Sequence, residues 1–256
     1  MPETTEEAVR LLAEMGARAR VLAGGTDVLV QLRAGRFEID RLVDIKRIPE
    51  LSQLSCSEAE GLVLGAAVPC YRVYEDQTIV QLYPGLVDAA SLIGGIQIQG
   101  RATVGGNLCN SSPSGDIIPA LIALEATCLI AGPEGRRTVL VEEFCTAPGR
   151  NVLEAGEIVV ALRFPPPKPR SGAHFLRFIP RNEMDIAVVG VGASVVLADG
   201  HIDSARIALG AVGPTPIFAR EASALLQGRE ANEAAIETAA DAAKAAAHPI
   251  DDMRGT

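Results

Sequence analysis

The sequence has no tryptophan, only three tyrosines and six phenylalanines, and fewer basic than acidic residues. Proteins that bind single-stranded nucleic acid stack bases on aromatic side chains, and nucleic-acid-binding domains typically carry a basic patch. This chain has 23 basic and 32 acidic residues and a formal net charge of −9. The composition therefore argues against a nucleic-acid partner.

A long apolar run is also missing. A helix that spans a bilayer needs about 20 consecutive apolar residues, and no stretch of the 256 residues approaches that length. The first ten residues, Met1–Arg10, are acidic and polar and lack the apolar centre of a signal peptide. We therefore expect a cytoplasmic protein without a membrane span.

The cysteines and histidines lack the spacing of the common metal sites. The five cysteines are odd in number and form no C-x-x-C pair, which predicts neither a disulfide framework nor an iron–sulfur cluster held by this chain alone. The three histidines are scattered without zinc spacing. We predict no metal ligand, and we find no Ser-His-Asp arrangement or general base that would indicate a catalytic residue.

Two diglycine segments stand out instead. The first glycine segment, Val21–Leu29, reads V-L-A-G-G-T-D-V-L, and the second, Thr103–Asp116, reads T-V-G-G-N-L-C-N-S-S-P-S-G-D. Neither is the G-x-G-x-x-G of a Rossmann fold, and neither continues into the Gly-Lys-Ser/Thr of a P-loop. The two commonest nucleotide-binding motifs are therefore excluded at these positions.

The form of both segments favours an anionic ligand. Glycine has no Cβ, so the backbone N–H groups beside it can lie against a phosphate. In the second segment, which we interpret as a loop, Asn107 and the serines add neutral donors, no cation is present, and Cys109 lies where it would touch a ligand. The two segments are about 80 residues apart, which predicts one long bipartite ligand with a pyrophosphate in its middle. The alternative, two tight turns without a ligand, would be preferred for either segment alone.

Asp116 ends the second segment and has two compatible interpretations. Its carboxylate can cap the helix predicted over Ile117–Leu124, with Pro119 in the first turn. It can also accept hydrogen bonds from ligand hydroxyls. A carboxylate would not lie against a phosphate, so a sugar or polyol is the better partner.

The apolar pattern changes character at a proline-rich connector, Pro165–Pro169. Before it, the pattern predicts a helix capped by Thr4 or Thr5, further helices and short strands. After it, alternating segments and an Asp199-Gly200 turn predict a three-stranded antiparallel meander followed by alanine-rich helices. The predicted helices before the connector include Cys70–Gln81 and Pro84–Ile93, and the predicted strands of the meander are Ala173–Phe178, Ile186–Leu197 and Ile202–Val212.

Four motifs in this order resemble the FAD-binding (medium) subunit of molybdenum hydroxylases, which includes the flavin subunits of carbon monoxide dehydrogenase and the flavin domain of xanthine dehydrogenase. The motifs are L-A-G-G-T-D at Leu22–Asp27, T-V-G-G-N at Thr103–Asn107, Asp116 nine residues beyond Asn107, and R-N-E-M-D-I-A-V-V at Arg181–Val189. The resemblance covers essentially the whole chain. The four motifs in this order and spacing identify the family specifically, whereas any one of them alone would be weak evidence for it.

The resemblance implies an α+β protein. Residues 1–167 would form a two-subdomain FAD-binding fold of the p-cresol methylhydroxylase/vanillyl-alcohol oxidase type, with subdomains at about 1–50 and 51–167. Residues 168–256 would form the C-terminal α+β domain, which contains the predicted three-stranded antiparallel sheet and its helices.

The resemblance also implies non-covalent FAD and the residues that hold it. Both glycine segments would grip the pyrophosphate, Asp116 would bind ribityl or ribose hydroxyls, and Val160, Arg177 and Ile186 would lie near the flavin ring. Lysine is common in the family where this chain has Arg177; arginine keeps the charge but changes the geometry, and its alternative interpretation is an exposed strand residue. The implied cofactor-binding residues are Leu22, Ala23, Gly24, Gly25, Thr26, Asp27, Val28, Leu29, Ile93, Thr103, Val104, Gly105, Gly106, Asn107, Asp116, Val160, Arg177 and Ile186.

The function implied by the resemblance is electron transfer within a multi-subunit oxidoreductase. A large molybdopterin subunit would act on the organic substrate, a small subunit would relay electrons through [2Fe–2S] clusters, and FAD on this chain would pass them to NAD⁺ or a quinone-linked carrier. Two alternatives stay open: a stand-alone FAD-dependent oxidase or dehydrogenase of the same fold, and a non-redox nucleotide-binding scaffold. The first glycine segment contains no histidine, so covalent attachment of FAD there is not expected.

Overall fold

The computed structural model describes residues 1–182 and 184–255. Glu183, inside the fourth motif, and Thr256, the last residue of the predicted C-terminal domain, lie outside the described residues. The helices are α1 (Thr5–Met15), α2 (Val28–Arg33), α3 (Cys70–Glu75), α4 (Gln77–Leu82), α5 (Pro84–Leu92), α6 (Ile96–Gln99), α7 (Val104–Asn110), α8 (Ile117–Ala123), α9 (Arg220–Leu226) and α10 (Glu233–Ala245).

Short 3₁₀ turns complete the helical structure at Gly16–Arg18, Glu50–Ser52 and Val141–Glu143. The strands are β1 (Ala19–Leu22), β2 (Arg41–Asp44), β3 (Leu54–Ser57), β4 (Gly61–Gly65), β5 (Thr127–Gly132), β6 (Gly135–Leu140), β7 (Cys145–Ala147), β8 (Arg150–Asn151), β9 (Ile158–Phe164), β10 (Ser171–Phe178), β11 (Val189–Ala198), β12 (His201–Gly210) and β13 (Ile217–Phe218).

The first 50 residues form a small α/β unit. Thr4 caps α1, as predicted, because its side chain accepts a hydrogen bond from the N–H of Glu7, and Gly16 ends the helix with a φ of +52°. β1 and β2 pair in parallel, which requires a crossover connection and receives one through α2. The crossover brings the end of β1, where the first glycine segment begins, to the edge of this unit.

The centre of the molecule is a five-stranded antiparallel sheet with the order β3-β4-β9-β5-β6. Its middle strand, β9, is buried at every position except Arg163, as its continuous apolar sequence predicts. Ile158 and Val160 pack with α1 and β2 in one core, whereas Val159 and Leu162 pack in the larger core beneath α3–α8. The sheet therefore holds the first unit against the helical layer.

The C-terminal part contains the predicted antiparallel meander, β10-β11-β12, and a fourth strand, the two-residue β13. α8 packs against β11 and β12, and Phe175 and Ala208 of this sheet belong to the same buried core as the sheet of the preceding part. α9 and α10 pack against the sheet through two smaller clusters. A division of the chain at residue 167 stays a prediction.

The helix predicted over Cys70–Gln81 is two helices, and the continuous interpretation is wrong. Asp76 adopts an extended conformation between α3 and α4, and its carboxylate accepts hydrogen bonds from the N–H groups of Thr78 and Ile79. An aspartate in this conformation is a good N-cap. The apolar periodicity continues across the break, which is why it suggested one helix.

Across residues 1–182 and 184–255, none of the helices has both the length and the hydropathy that crossing a membrane requires.

Candidate functional site

A cavity of about 500 Å³ lies where the two glycine segments meet. Its walls come from the first α/β unit, from β9 and from the helical layer, so the fold joins residues that are far apart in the sequence. The predicted binding residues that line it are Ala23, Gly24, Gly25, Thr26, Asp27, Val28, Ile93, Thr103, Gly105, Gly106 and Asn107. The two segments thus contribute to one site, as a bipartite ligand requires.

The first glycine segment is a sharp turn between β1 and α2. Gly25 has a φ of +83°, which strongly favours glycine. Gly24 lies so close to the backbone of Arg101 that a Cβ would overlap its carbonyl oxygen. Both glycines are therefore required by the backbone, one for its conformation and one for its contact.

The carbonyl groups of this turn are held by cations. The Nζ of Lys46 donates to the carbonyl oxygen of Ala23 at 3.2 Å, and the Nε of Arg101 donates to that of Gly24 at 3.3 Å. By contrast, the N–H groups of residues 24–27 donate to no acceptor within the described chain. Consecutive N–H groups without partners form an anion-binding concavity when they converge. The turn therefore leaves backbone donors available at the cavity.

Half of the second glycine segment is a helix, and the predicted loop is wrong for residues 104–110. Thr103 caps α7 because its Oγ1 accepts from the N–H of Gly106 at 2.9 Å. Gly105 packs against another backbone, since a Cβ there would lie 2.7 Å from the Cα of Ala66. Two consecutive glycines indicate a loop because glycine has a low helix propensity. Here the capping hydrogen bond and the contact with Ala66 stabilise the helix instead. As in any first turn, N–H groups are left without helical partners.

Side-chain hydrogen bonds join the two segments. The Nδ2 of Asn110 donates to the Oδ1 of Asp27 at 3.3 Å, and the Nε2 of Gln31 donates to the Oδ1 of Asn110 at 2.9 Å. Asn110 is the last residue of α7, and Gln31 is in α2. These hydrogen bonds hold the end of α7 against the first segment and α2, and sequence reasoning did not identify them.

Two buried acceptors in the second segment lack partners among the described residues, the Oδ1 of Asn107 and the Oδ1 of Asp116. Asn107 lies against the residue that precedes Asp116, because its Oδ1 is 3.0 Å from the position of a Cβ on Gly115. A buried acceptor without a hydrogen bond costs about 1–3 kcal/mol and is uncommon. The pair therefore marks a place where a donor that the described residues do not supply would be stabilising.

Asp116 precedes α8 but its side chain does not cap the helix, so that part of the prediction is wrong. Its Oδ2 accepts from the Nη1 of Arg177 at 2.7 Å, and the two side chains are 12% and 6% exposed. The interpretation of Arg177 as an exposed strand residue is therefore also wrong. The guanidinium, contributed by β10, draws the carboxylate away from the capping position and links α8 to the C-terminal sheet.

Burial raises the pKa of Asp116 from 3.8 to about 6, although Arg177 opposes the shift. The cost of desolvation exceeds the attraction because one carboxylate oxygen has no donor. A hydroxyl that donates to this oxygen would favour the ionised form. The site therefore contains a carboxyl group that titrates near pH 6 until a donor reaches it.

Some predicted binding residues do not line the cavity. Val104 and Val160 are fully buried in the two cores, and Ile186 is 49% exposed. The roles of these residues in ligand binding stay predictions. The complete group consists of Leu22, Leu29, Val104, Asp116, Val160, Arg177 and Ile186.

Sequence reasoning also missed residues that line the cavity. Among them are Arg20, Arg36 and Phe37, which flank the first glycine segment, together with Ile158 and Val159 of β9. Neither glycine segment contains a cation, but Arg20 and Arg36 bring positive charge to the same cavity. The one sequence feature that could have identified these residues is that Arg20, Arg36 and Phe37 lie close to the first glycine segment in the sequence. None of the four motifs includes them.

Two family models match the chain. The model described as FAD binding domain in molybdopterin dehydrogenase matches residues 1–167. The model described as CO dehydrogenase flavoprotein C-terminal domain matches residues 174–256. Together they account for nearly the whole sequence.

Similar proteins point to the same family. The xanthine dehydrogenase FAD-binding subunit of Escherichia coli O157:H7 is 37% identical over 235 residues, which cover 91% of this chain and 80% of that protein. The carbon monoxide dehydrogenase medium chain of Hydrogenophaga pseudoflava is 32% identical over 254 residues, with 99% and 88% covered. A solved structure of carbon monoxide dehydrogenase from the same organism superimposes with a TM-score of 0.95 at 33% identity and covers 100% of this chain and 88% of that one.

Proposed function

We propose a function on the premise that this chain belongs to the FAD-binding (medium) subunits of molybdenum hydroxylases, the family of xanthine and carbon monoxide dehydrogenase flavoproteins. In this function, the FAD of the chain receives electrons from the iron–sulfur clusters of a partner subunit and passes them to a separate acceptor. The single observation that carries the proposal is the cavity between the two glycine segments, which is lined by backbone N–H groups without acceptors in the described chain and by Asn107, whose Oδ1 has no partner there.

The residues present fit FAD. The cofactor has a pyrophosphate that requires donors and sugar-like hydroxyls that require acceptors. The N–H groups of residues 24–27 would bind the pyrophosphate oxygens together with the first turn of α7. Asn107 and Asp116 would accept from the hydroxyls. When bound, FAD supplies the redox chemistry, because it can accept and release electrons.

Other side chains of the site hold these donors and acceptors in position. Lys46 and Arg101 hold the carbonyl groups of the first turn, which keeps its N–H groups free for the ligand. Arg177 keeps a positive charge beside Asp116 in a nearly dry environment. We propose that Arg177, Val160 and Ile186 lie on the flavin side of the site, where a fixed cation would favour negative charge on the ring.

We further propose that the chain works in the cytoplasm as part of a heterotrimer. Its partners would be a small subunit with [2Fe–2S] clusters and a large molybdopterin subunit that acts on the organic substrate. Names of similar proteins, "FAD-binding subunit" and "medium chain", support an assembly of several subunits. The final acceptor would be NAD⁺ or a quinone-linked carrier.

The test is the absorption spectrum of the complex purified gently from its native host, with iron and molybdenum analysis. We expect flavin, iron and molybdenum in stoichiometric amounts. Flavin alone in a catalytically competent protein would favour the stand-alone oxidase or dehydrogenase. A protein without flavin, even after FAD is added, would contradict both redox functions and leave the nucleotide-binding scaffold.

A further inference from the structure

The C-terminal sheet holds the end of α8 that lies away from Asp116. The Nε of Arg206, in β12, donates to the carbonyl oxygen of Ile122 at 3.0 Å, and the Oγ of Ser194, in β11, donates to that of Ala123 at 2.6 Å. The two donors are directly opposite each other in the sheet, so they project from one face. Carbonyl groups in the last turn of a helix lack helical partners, and a cation there also complements the helix dipole.

The middle of α8 lies directly on the same sheet. A Cβ on Gly192 would be 2.5 Å from the carbonyl oxygen of Pro119, and a Cβ on Gly210 would be 2.9 Å from its Cγ. The two glycines therefore leave no side chain between the strands and the helix, whose seven residues are all buried. Together with Arg177, which pairs with Asp116 at the start of the helix, these contacts restrict movement of α8 along its axis.

Arg206 is itself held by a buried carboxylate and an aromatic ring. Its Nη2 donates to Glu142, whose side chain is 7% exposed, and its guanidinium carbon lies 4.0 Å from the centroid of the Phe218 ring. Arg220 donates to the other oxygen of Glu142 and lies 4.6 Å from the same centroid. Its side chain is 68% exposed, and it forms no hydrogen bond with α8 in the described chain. The two arginines therefore share their partners and differ in their contact with α8.

The helix α8 connects this contact to the candidate site. Its seven residues, at about 1.5 Å each, span about 10 Å, and Asp116 directly precedes them. A helix moves as a unit because its backbone hydrogen bonds fix each turn to the next. A displacement at its C-terminal end would therefore move the Asp116 carboxylate relative to Arg177 and to a bound ligand.

We propose that Arg206 is a positioning residue for the FAD site: by fixing the end of α8, it holds the Asp116 carboxylate where ligand hydroxyls can donate to it. The inference rests on the proposed function, in which the cavity holds FAD. Arg206 does not line the cavity and acts through α8 and Asp116. The C-terminal sheet thereby contributes to cofactor binding through a residue that does not touch the cofactor.

The ionisation of Asp116 provides a readout that is specific to this role. Burial raises the pKa of its carboxyl to about 6, and Arg177, the charged group that pairs with it among the described residues, opposes the rise. If α8 shifts, this ion pair weakens and the pKa of Asp116 rises further. FAD affinity, which requires the ionised carboxylate, should then increase at a higher pH than in the wild type.

The test is fluorescence titration of the full chain, freed of flavin, with FAD between about pH 5 and pH 8. The variant is Arg206→Met. The matched control is Arg220→Met, which removes the same charge from the same carboxylate and ring without breaking a hydrogen bond to α8. We expect Arg206→Met to raise the Kd for FAD at neutral pH about fivefold and to move the midpoint of the pH dependence up by about half a unit. The control should stay within twofold of the wild type, with an unchanged midpoint.

A double-mutant cycle with Asp116→Asn separates positioning from a general loss of structure. In the Asp116→Asn chain, Arg206→Met should change the Kd for FAD by less than about twofold, because the carboxylate that Arg206 positions is already absent. The same fivefold loss in this background would show that Arg206 does not act through Asp116.

Three further results would overturn the positioning role and leave the FAD site intact. Unchanged affinity and midpoint in Arg206→Met would show that α8 keeps its place without this contact. Equal losses in Arg206→Met and Arg220→Met would show that only the charge of the cluster matters. Weaker binding with an unmoved midpoint would show a loss of structure that does not reach Asp116. A wild-type chain that does not bind FAD would overturn the proposed function, and the positioning role with it.

Two more variants keep the test decisive if Arg206→Met does not fold, as judged by circular dichroism. Arg206→Met/Glu142→Gln removes both members of the buried pair, so no buried carboxylate loses its partner, and it carries the same expected result against Arg220→Met/Glu142→Gln. Ser194→Ala removes only the hydrogen bond to the carbonyl oxygen of Ala123. It should move the affinity and the midpoint in the same directions by smaller amounts, and an effect in the opposite direction would contradict the proposal.

Discussion

The two glycine segments have the same dipeptide in different structures. In the first, Gly24-Gly25 makes a turn between a strand and a helix, and Gly25 has a positive φ. In the second, Gly105-Gly106 lies in the first turn of α7. Both arrangements place backbone N–H groups without helical or strand partners beside one cavity. A diglycine can therefore indicate a ligand contact without specifying the backbone conformation that makes it.

The segments also differ in what their side chains supply. The first offers backbone donors and is held by Lys46 and Arg101. The second adds two buried acceptors without partners, on Asn107 and Asp116. We therefore expect substitutions in the first segment to act through backbone geometry. Substitutions in the second segment should act, depending on the residue, through packing, through access of the ligand to the cavity or through the protonation of Asp116.

The largest combined effect on folding and FAD binding should follow Gly24→Ala. The added Cβ would overlap the carbonyl group of Arg101, which cannot move without shifting the chain that leads to the second segment. We expect FAD affinity to fall by about a hundredfold or more, with a loss of roughly 1–3 kcal/mol in the free energy of unfolding. Flavin titration and thermal melting measure the two effects.

Gly100→Ala is the matched control for this change. It adds the same methyl group immediately before Arg101, where a Cβ would meet no atom of residues 1–182 or 184–255 within 4 Å. Its melting temperature and FAD affinity should match those of the wild type. Stoichiometric FAD in the Gly24→Ala chain would contradict the requirement for close approach.

Gly106→Leu should separate ligand binding from folding. Among the described residues, a Cβ at Gly106 would meet only the Oγ1 of Thr103, at 2.8 Å. This hydroxyl can rotate away at the cost of the cap, about 1 kcal/mol. Loss of glycine from a helix recovers a similar amount, so the melting temperature should change by only a few degrees. The longer side chain would occupy the cavity and abolish FAD binding. A variant that retains stoichiometric FAD would count strongly against the site.

Gly105→Ala should give the opposite result, because this glycine serves packing. A Cβ would lie 2.7 Å from the Cα, Cβ and carbonyl oxygen of Ala66. Overpacking of a buried contact costs about 1–3 kcal/mol, so we expect the melting temperature to fall by several degrees in the absence of ligand. An unchanged melting temperature would show that α7 can move away from Ala66 freely.

Protonation of Asp116 should make the second segment sensitive to pH. The pKa of this carboxyl is raised to about 6 in the folded chain from 3.8, so below pH 6 it keeps a proton and cannot accept fully from ligand hydroxyls. FAD affinity should therefore rise between about pH 5 and pH 7. Because one proton must leave Asp116 when FAD binds, the rise is at most about tenfold per pH unit. Titrations at several pH values measure this slope, and Asp116→Asn should flatten it.

The raised pKa of Asp116 also predicts how the free energy of unfolding of the flavin-free chain depends on pH. The folded state binds the proton of Asp116 more tightly than the unfolded state, so this group stabilises the fold below pH 3.8, and that contribution is lost as pH rises through 6. The contribution is at most about 3 kcal/mol, and the difference between wild type and Asp116→Asn in urea unfolding isolates it. A difference that does not vary with pH would contradict the raised pKa.

The sequence predicted the joining of the two segments because glycine pairs, polar neighbours and their order carry that information locally. The helical state of residues 104–110 was missed because the cap from Thr103 and the contact with Ala66 outweigh the poor helix propensity of glycine. Asp116 was expected to cap α8 because it stands directly before that helix. Its actual partner, Arg177, is 61 residues away in sequence. Such a partner is set by tertiary packing, which local patterns do not report.

The meander was predictable for the opposite reason. Its strands are consecutive, and a hairpin turn at Asp199-Gly200 joins β11 to β12. The contact of the Arg20 guanidinium with the Phe37 ring in the cavity wall, by contrast, forms only when the α2 crossover brings two separate segments together. No periodicity in the sequence marks that contact.

The most direct test of the central claim is hydrogen–deuterium exchange of the backbone amides with and without FAD. The claim is that one FAD spans both glycine segments. It predicts that the N–H groups of residues 24–27 and of Val104 and Gly105, which have no acceptor in the described chain, exchange faster in the flavin-free chain and become protected together at one equivalent of FAD. Protection of only one segment, or of neither while FAD is bound, would contradict the bipartite site.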